Sequence, residues 1–480
     1  MSTTRHQSRS SAPETEPAEA ASPKLHVVTF GCQMNKYDSE LVEGRFRRVG
    51  YETTGEIDEA DVVLFNTCSV RDHAEERTWS WVGELKRVKE RRPDLVVGVM
   101  GCMAQRVEEE VFRRAGHVDL VAGTRQFHLL PRMVEELRER REAPDRFSRR
   151  ERRLLATDMT EDVVVDRAGE EYAGGRHAYL AVMRGCDLNC TYCIVPTTRG
   201  RVRSRPIDDL VREAEWYASQ GVQVLTLLGQ TINSYGEDMP APEPGAPAMR
   251  GRKGRPSLAD LLERLQGVEG LERIRLITLH PAYVDRPFAE AIRDYDKVER
   301  FLPLPAQAGS DDVLRRMKRG YTLDLYRRRA DLLREIVPDI ELGSDWIVGF
   351  CGETDEDFEG SERFLAEQGF LVNYVFKYDP RPSTKADEKL VDDVADAVKK
   401  ERNQRLLRAA ERAQRLRFER YRDAEVPVFV ESVSERDARI VMGKTPWGMP
   451  ISFEGTGALV GTHARVKVVE TTPYGMAGHA

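Results

Sequence analysis

Six of the seven cysteines in this 480-residue chain fall into two sets of three. Cys186, Cys190 and Cys193 stand in the run Arg184-Gly185-Cys186-Asp187-Leu188-Asn189-Cys190-Thr191-Tyr192-Cys193, a Cys-x3-Cys-x2-Cys cluster. Three thiolates on one short loop can hold three irons of a [4Fe-4S] cubane and leave the fourth iron open as a reaction site. The alternative is structural zinc, which wants four closed ligands; this loop offers neither a fourth Cys nor a nearby His.

Cys32, Cys68 and Cys102 are 36 and 34 residues apart, and each follows a strand-like apolar run within a residue or two. Strands of a parallel sheet present their carboxyl ends on one edge, where ligands collect. The three thiols can therefore converge on a second cluster, again with an open iron. The alternative is three buried core cysteines, the common habit of the free thiol. Their contexts, Gly31-Cys32-Gln33-Met34-Asn35, Asn66-Thr67-Cys68-Ser69 and Gly101-Cys102-Met103-Ala104, have the small or polar neighbours that a tight turn round a cofactor requires. Cys351, in Gly349-Phe350-Cys351-Gly352-Glu353-Thr354, has no partner in sequence and reads as a small packed side chain. An odd cysteine count without an export signal argues against a disulfide framework.

The elements that must position these thiols follow from the hydrophobic pattern. Leu25 to Phe30, Val62 to Asn66 and Leu95 to Met100 are strand-sized runs separated by charged stretches of helix length, the signature of a parallel α/β sheet. From Ala178 the alternation resumes, with strands expected near Tyr179 to Met183, Gln223 to Leu228, Arg273 to Leu279, Arg300 to Leu304, Trp346 to Phe350 and Asn373 to Tyr378. Helices are expected over Asp208 to Ser219, Asp324 to Glu335 and Asp355 to Glu367, the last with a capping box from Thr354 and Asp357. Six such units predict an incomplete (β/α) barrel. Met239 to Pro256, with five Pro and three Gly, reads as a long surface loop. After Glu425, short alternating strands (Val426 to Val430, Ala438 to Met442, Ala464 to Val469) predict a small all-β barrel.

The chain is about three typical domains long, and 40% hydrophobic residues supply real cores, which excludes global disorder. No apolar run approaches the roughly 20 residues that span a bilayer. Residues 1–23, rich in Ser, Thr, Ala, Glu and Pro, read as a disordered tail without signal-peptide character, so a cytoplasmic protein is expected. A net charge of −7 does not advertise nucleic-acid binding, so any basic surface must be local. Arg138 to Arg153 holds eight Arg against four acidic residues and reads as an exposed connector. Lys399 to Arg422 is a helical run with ten basic and three acidic side chains, and Arg199, Arg201, Arg203 and Arg205 follow the cysteine loop; both stretches could pair with phosphates.

At this point the residues resemble a known family. Thr29-Phe30-Gly31-Cys32-Gln33-Met34-Asn35, Cys190-Thr191-Tyr192-Cys193-Ile194-Val195-Pro196, Thr198-Arg199-Gly200, Ser204-Arg205-Pro206, Leu228-Gly229-Gln230 and Met317-Lys318-Arg319-Gly320 look like signatures of the radical S-adenosylmethionine (SAM) methylthiotransferases. The Gly-Cys-Gln-Met-Asn context and the Ile-Val-Pro after Cys193 are most similar to the bacterial branch acting on tRNA. Ala306, Ala308, Thr197, Thr231 and Cys351 depart from the usual pattern.

The resemblance implies an α/β chain of three modules: an N-terminal methylthiotransferase domain (24–140), a linker (141–171), a radical SAM partial (β/α)6 TIM-like barrel (172–417) and a C-terminal TRAM β-barrel (418–480). It implies two [4Fe-4S] clusters: a radical cluster on Cys186, Cys190 and Cys193, and an auxiliary cluster on Cys32, Cys68 and Cys102. S-adenosyl-L-methionine would be the cosubstrate, with Gly229, Gln230, Asn233 and Gln307, at or just past strand ends, as candidates for contacting it. The implied reaction is methylthiolation of C2 of N6-isopentenyladenosine beside the anticodon. Implied partners are that tRNA and a low-potential electron donor such as flavodoxin or ferredoxin, with the protein a monomer away from membranes. The alternatives are a methylthiotransferase acting on threonylcarbamoyladenosine or on a ribosomal-protein aspartate, and, from another class, a non-catalytic RNA-binding protein with structural metal sites.

Overall fold

Val62–Thr67 and Val96–Gly101 are buried along their whole length, a pattern stable only where both faces of a sheet are covered. In the computed structural model, which describes residues 22–70, 72–143, 145–148, 150–159, 172, 174–245 and 247–480, they are the centre of a six-stranded parallel sheet. Its strands are β1 (Lys24–Thr29), β2 (Glu52–Thr53), β3 (Val62–Thr67), β4 (Val96–Gly101), β5 (Leu120–Ala122) and β6 (Leu154–Ala156), in the order β2-β1-β3-β4-β5-β6. The helices between them are α1 (Gln33–Arg48), α2 (Asp72–Arg91), α3 (Cys102–Val107), α4 (Glu110–Arg114) and α5 (Leu130–Glu142). Side chains alternate as the pleat demands: Val62 and Leu64 pack with Val42 and Phe46 on one face, Val63 and Phe65 with Val82 and Leu85 on the other.

The expected tail falls outside the described residues up to 21, and the expected linker does so over 160–171. Part of that linker is not a connector. Leu154–Ala156 joins the sheet as β6, parallel to β5; three residues in an Arg-rich run carry no periodicity, and backbone pairing alone places them.

The barrel is two three-stranded parallel sheets. One holds β7 (His177–Ala181), β10 (Val224–Leu228) and β11 (Arg273–Leu276); the other holds β12 (Phe301–Pro303), β13 (Glu341–Val348) and β14 (Val372–Lys377). Among the described residues an isolated bridge joins Ile274 of β11 to Val298, just ahead of β12. The short antiparallel pair β8 (Met183–Arg184) and β9 (Arg203–Ser204) clamps the cysteine loop between its ends. The outer layer is α6 (Val195–Arg199), α7 (Ile207–Ser219), α8 (Leu258–Gln266), α9 (Arg286–Asp294), α10 (Asp311–Met317), α11 (Leu323–Ile336), α12 (Asp355–Gln368), α13 (Lys385–Lys389) and α14 (Asp396–Glu419). Thr354 and Asp357 make the expected capping box on α12. β13 starts at Glu341, five residues before the expected Trp346, because its first half is polar in sequence; Glu341 is buried and satisfied by Arg417 at 2.6 Å. The Pro-rich stretch is a loop, as expected, but Arg250 ties it down through Asp260, Glu263 and Tyr295.

The chain ends in a closed five-stranded barrel, β15 (Glu425–Val433), β16 (Ile440–Lys444), β17 (Pro450–Glu454), β18 (His463–Thr472) and β19 (Gly475–His479). It docks under the amino ends of the central strands. Gln223 donates to the Gly461 carbonyl at 3.1 Å, His463 meets Glu272, Arg300 N–H donates to the Pro446 carbonyl, and Arg275 pairs with Glu431.

Candidate active site

Each thiol of the dispersed set stands at the carboxyl end of a parallel strand. Cys32 caps α1 after β1, Cys68 follows β3, and Cys102 opens α3 after β4. Two glycines make the approach possible. Gly31, at φ +111°, would put a Cβ 2.5 Å from the Cys68 Cβ, and Gly101, at φ +97°, would put one 2.5 Å from Asn66 Oδ1, positions only glycine tolerates. Around the turn Asn35 donates to the Phe30 and Thr67 carbonyls, Asn66 donates to the Asn35 carbonyl, and Thr67 donates to the Met100 carbonyl. Cys32 and Cys68 lie within electrostatic reach of Cys102, whose thiol burial pushes up to about 11.

In the contiguous set, Cys193 is pushed up to about 12, chiefly by burial, with Cys190 and Cys186 adding to it; burial also raises Cys186. The loop is held from beneath: Thr191 N–H donates to the Met317 carbonyl and its hydroxyl to the Arg316 carbonyl. The same turn delivers Arg319, buried, whose Nη1 donates to Cys190 Sγ at 3.3 Å. Thr231 contacts Cys186 Sγ at 3.5 Å.

Both sets fit a cubane in donor chemistry: three thiols each, pressed into low-dielectric surroundings where bound iron supplies the countercharge that a thiolate lacks. Among the described residues no three His, Cys, Asp or Glu close on one point as ligands to a single ion do, and a four-iron cubane takes one iron per thiolate over a wider span.

A buried seam joins the elements that carry the two sets. Asp38 of α1 is wholly buried and pairs with Arg199 at 2.9 Å and Arg184 at 3.1 Å. Arg199 also donates to Asn35 and feels the charge of Cys102 and Cys32. Arg205 pairs with Glu213 at 2.7 Å and donates to the Tyr37 hydroxyl and the Ala181 carbonyl. Thr124 and Arg125 donate to the carbonyls of Thr198 and Arg199. Met34, Tyr37 and Leu41 pack on Ala181 and Leu228 of the barrel wall, with Cys32 against the same cluster.

This corrects the reading of the four arginines after the cysteine loop. Arg199 is buried and Arg205 half-buried in the seam, while Arg203 is exposed and Arg201 is exposed beside Asp187. The basic helix divides likewise. Lys399, Arg402, Arg405 and Arg417 are tied to Asp392, Glu353, Glu362 and Glu341 and Arg422 to Glu419, which leaves Lys400, Arg408, Arg412, Arg415 and Arg420 on the exposed side, Arg415 beside Glu411.

The four candidates for SAM follow the carboxyl ends of β10 and β12 with different local roles. Gln230 carries a buried Oε1 without a hydrogen-bond partner, an acceptor suited to an ammonium group. Gly229 is closely packed against Met183 and Ile232. Asn233 spends its amide on the backbone of His280, donating to its carbonyl and accepting its N–H, both at 2.9 Å. Gln307 sits at φ +67° and bridges to β13 through its own backbone. Cys351 is buried against Tyr378, apart from both sets.

Sequence reasoning gave no role to Arg319, although its motif was visible, nor any to Arg381, which the loop after β14 brings within electrostatic reach of Cys68. The rule that barrel sites gather at strand carboxyl ends could have found Arg381.

A family model described as "Radical SAM superfamily" matches residues 180–365, and one described as "Uncharacterized protein family UPF0004" matches 24–123. The tRNA-2-methylthio-N(6)-dimethylallyladenosine synthase of Rhodopirellula baltica is 39% identical, covering 95% of this chain and 98% of its own. The enzyme of the same name from Symbiobacterium thermophilum is 36% identical, covering 95% and 94%. Among solved structures, the radical S-adenosylmethionine methyltransferase TsrM from Kitasatospora setae, with cobalamin and a [4Fe-4S] cluster bound, aligns with TM-score 0.54 at 15% identity over 76% of this chain and 77% of that one, a likeness of fold.

Proposed function

From the premise that the chain belongs to the tRNA-2-methylthio-N(6)-dimethylallyladenosine synthase family, radical SAM enzymes that use SAM and [4Fe-4S] clusters, we propose that it methylthiolates C2 of N6-isopentenyladenosine beside the anticodon of tRNA. The observation that supports the reading is that one three-thiol set stands at the strand ends of the first sheet and the other on the loop after β8, with the elements carrying them joined by Asp38, Arg184 and Arg199.

Adenine C2 bears an unactivated C–H bond that no side-chain acid or base opens at neutral pH; bound clusters and SAM supply the one-electron and sulfur chemistry. In this reading Cys186, Cys190 and Cys193 ligate the radical cluster, and Cys32, Cys68 and Cys102 the auxiliary one. Arg319 keeps a positive charge on Cys190, and Gln230 offers its bare oxygen to the SAM ammonium. Asn233 locks the loops after β10 and β11 together, and the buried seam fixes the approach of one thiol set to the other. Gly229 and Gln307 shape the SAM pocket by packing and backbone. The division into 24–140, 172–417 and 418–480 belongs to the same proposal, as do a flavodoxin- or ferredoxin-type electron donor, a monomer, and action in the cytoplasm, where tRNA is processed.

The test is anaerobic reconstitution with an anticodon stem-loop carrying N6-isopentenyladenosine, followed by nucleoside analysis. A 2-methylthio product on that nucleoside is expected. Conversion of threonylcarbamoyladenosine instead, or no product beside normal SAM cleavage, would overturn the assignment.

A further inference from the structure

The register of β13 with β14 fixes which way the last barrel strand faces. Ser344 pairs with Asn373 and Trp346 with Val375; Asp345 pairs with Tyr374 and Ile347 with Phe376. Trp346 is buried against Phe364 and Phe370 in the helical layer and donates to Asn373 at 2.9 Å. Partners across a parallel pair share a face and successive residues alternate, so Tyr374 and Phe376 point into the barrel. They are 61% and 44% exposed there.

Two large rings left bare inside a barrel mark a ligand surface. β14 is the edge strand of its sheet, with Asn403 of α14 donating to the Val375 carbonyl at 3.0 Å. Across the gap, β7 carries Tyr179 on its inner face, and α1, which begins beside Cys32, covers that wall. The slot is thus flanked by an aromatic wall and by the helix that presents the first auxiliary thiol. Its charges are mixed, with Asp345 on the face of Tyr374, Glu40 near Tyr179 and Asp379 paired with Arg381 at 3.0 Å, and two cationic groups mark its flanks. Lys36 is exposed on α1 and acts on His177 of β7, while Arg381 beyond the end of β14 reaches Cys68.

We propose that Tyr374 and Phe376 form a stacking platform for unstacked anticodon-loop bases of tRNA, holding them in the slot between β14 and α1. This rests on the function proposed above. Chemistry on a base requires its removal from the stack, and single-stranded RNA is gripped by aromatic faces beside cationic groups.

The experiment uses the reconstituted enzyme and the isopentenylated anticodon stem-loop. Tyr374→Leu and Phe376→Leu each weaken binding roughly 10- to 100-fold, the range for losing one base–aromatic stack, while RNA-free formation of 5'-deoxyadenosine stays at the wild-type rate. Tyr374→Trp keeps affinity within about threefold, because stacking tolerates any aromatic face. The dependence of affinity on salt is unchanged in all three, since no phosphate contact is lost. Leucine variants that bind as wild type overturn the platform, as does a Trp variant as weak as the Leu variant, which would mean packing alone. If the wild-type enzyme fails to convert the stem-loop, the proposed function falls first; if it converts and the Leu variants bind normally, only the platform falls.

Discussion

The two cysteine sets are made of the same atoms and built in opposite ways. Cys186, Cys190 and Cys193 sit within eight residues of chain, so local loop geometry gathers them and the barrel only has to hold the loop, which it does through Met317, Arg316 and Arg319. Cys32, Cys68 and Cys102 come from three strands, and nothing joins them until the sheet has paired β1 with β3 and β3 with β4. The first set is a property of a loop. The second is a property of a fold, and its chemistry is correspondingly exposed to damage far from the thiols.

The sharpest break between them is chemical. Cys190→Ala should abolish both 5'-deoxyadenosine formation and the thiomethylated product, whereas Cys32→Ala should retain SAM cleavage and make no product. Iron after anaerobic reconstitution should fall from about eight to about four per chain when either whole set is changed to Ala. If Cys32→Ala stops SAM cleavage as completely as Cys190→Ala does, the two sets do not divide the labour.

Each set also has its own buried arginine, and these separate the two regions by a smaller margin. Arg319→Met removes a charge-assisted hydrogen bond to Cys190 Sγ, worth about 1.5–3 kcal/mol, and should slow RNA-free SAM cleavage by roughly one to two orders of magnitude. Arg199→Met leaves the buried Asp38 with Arg184 as its remaining ion-pair partner; breaking such a network costs about 3 kcal/mol. The N-terminal region should then become protease-sensitive while SAM cleavage stays near normal. Replacing Asp38 and Arg199 together by Leu and Met should recover much of the stability. A double variant as fragile as Arg199→Met alone would mean that the seam is held by something other than this charge pair.

What the sequence could and could not convey follows the same division. The contiguous set was legible as a motif. The dispersed set was legible only through strand-end placement, which needs the strand–helix alternation to be read first. The arginines after the loop were misjudged because charge in sequence is blind to burial: the partner of Arg199 lies 161 residues away, so a run that counts as basic surface is half interior. β6 escaped because three residues carry no period, and the first half of β13 because its buried Glu341 looks like surface until Arg417 is found against it. The last two small-barrel pieces, β17 and β19, are five residues each and pair across a hairpin-rich tail with little apolar contrast. In the β14 slot, Tyr374 and Phe376 look like ordinary strand residues, and only the register reveals that they face inward.

The smallest expected effect concerns the wall that the two regions share. His177, on the inner face of β7 near Lys36 of α1, is held down at about 4, chiefly by burial and then by the Arg275 charge, with its Nε2 2.8 Å from the Thr226 hydroxyl. The unfolded imidazole titrates near 6.5. Between these values the unfolded chain binds a proton that the folded chain refuses, so stability falls as pH drops below 6.5 and levels off below about 4. Allowing for partial exposure, the loss between pH 6.5 and 5 is about 1 kcal/mol. His177→Gln keeps a partner for Thr226 and removes the titration, so subtracting its urea-unfolding profile from that of the wild type isolates this one group from the other histidines. The difference should be flat above pH 7 and should grow on acidification in the direction of a weaker wild type. A difference of opposite sign would mean that His177 is protonated in the folded wall, with Glu431 rather than burial setting its charge.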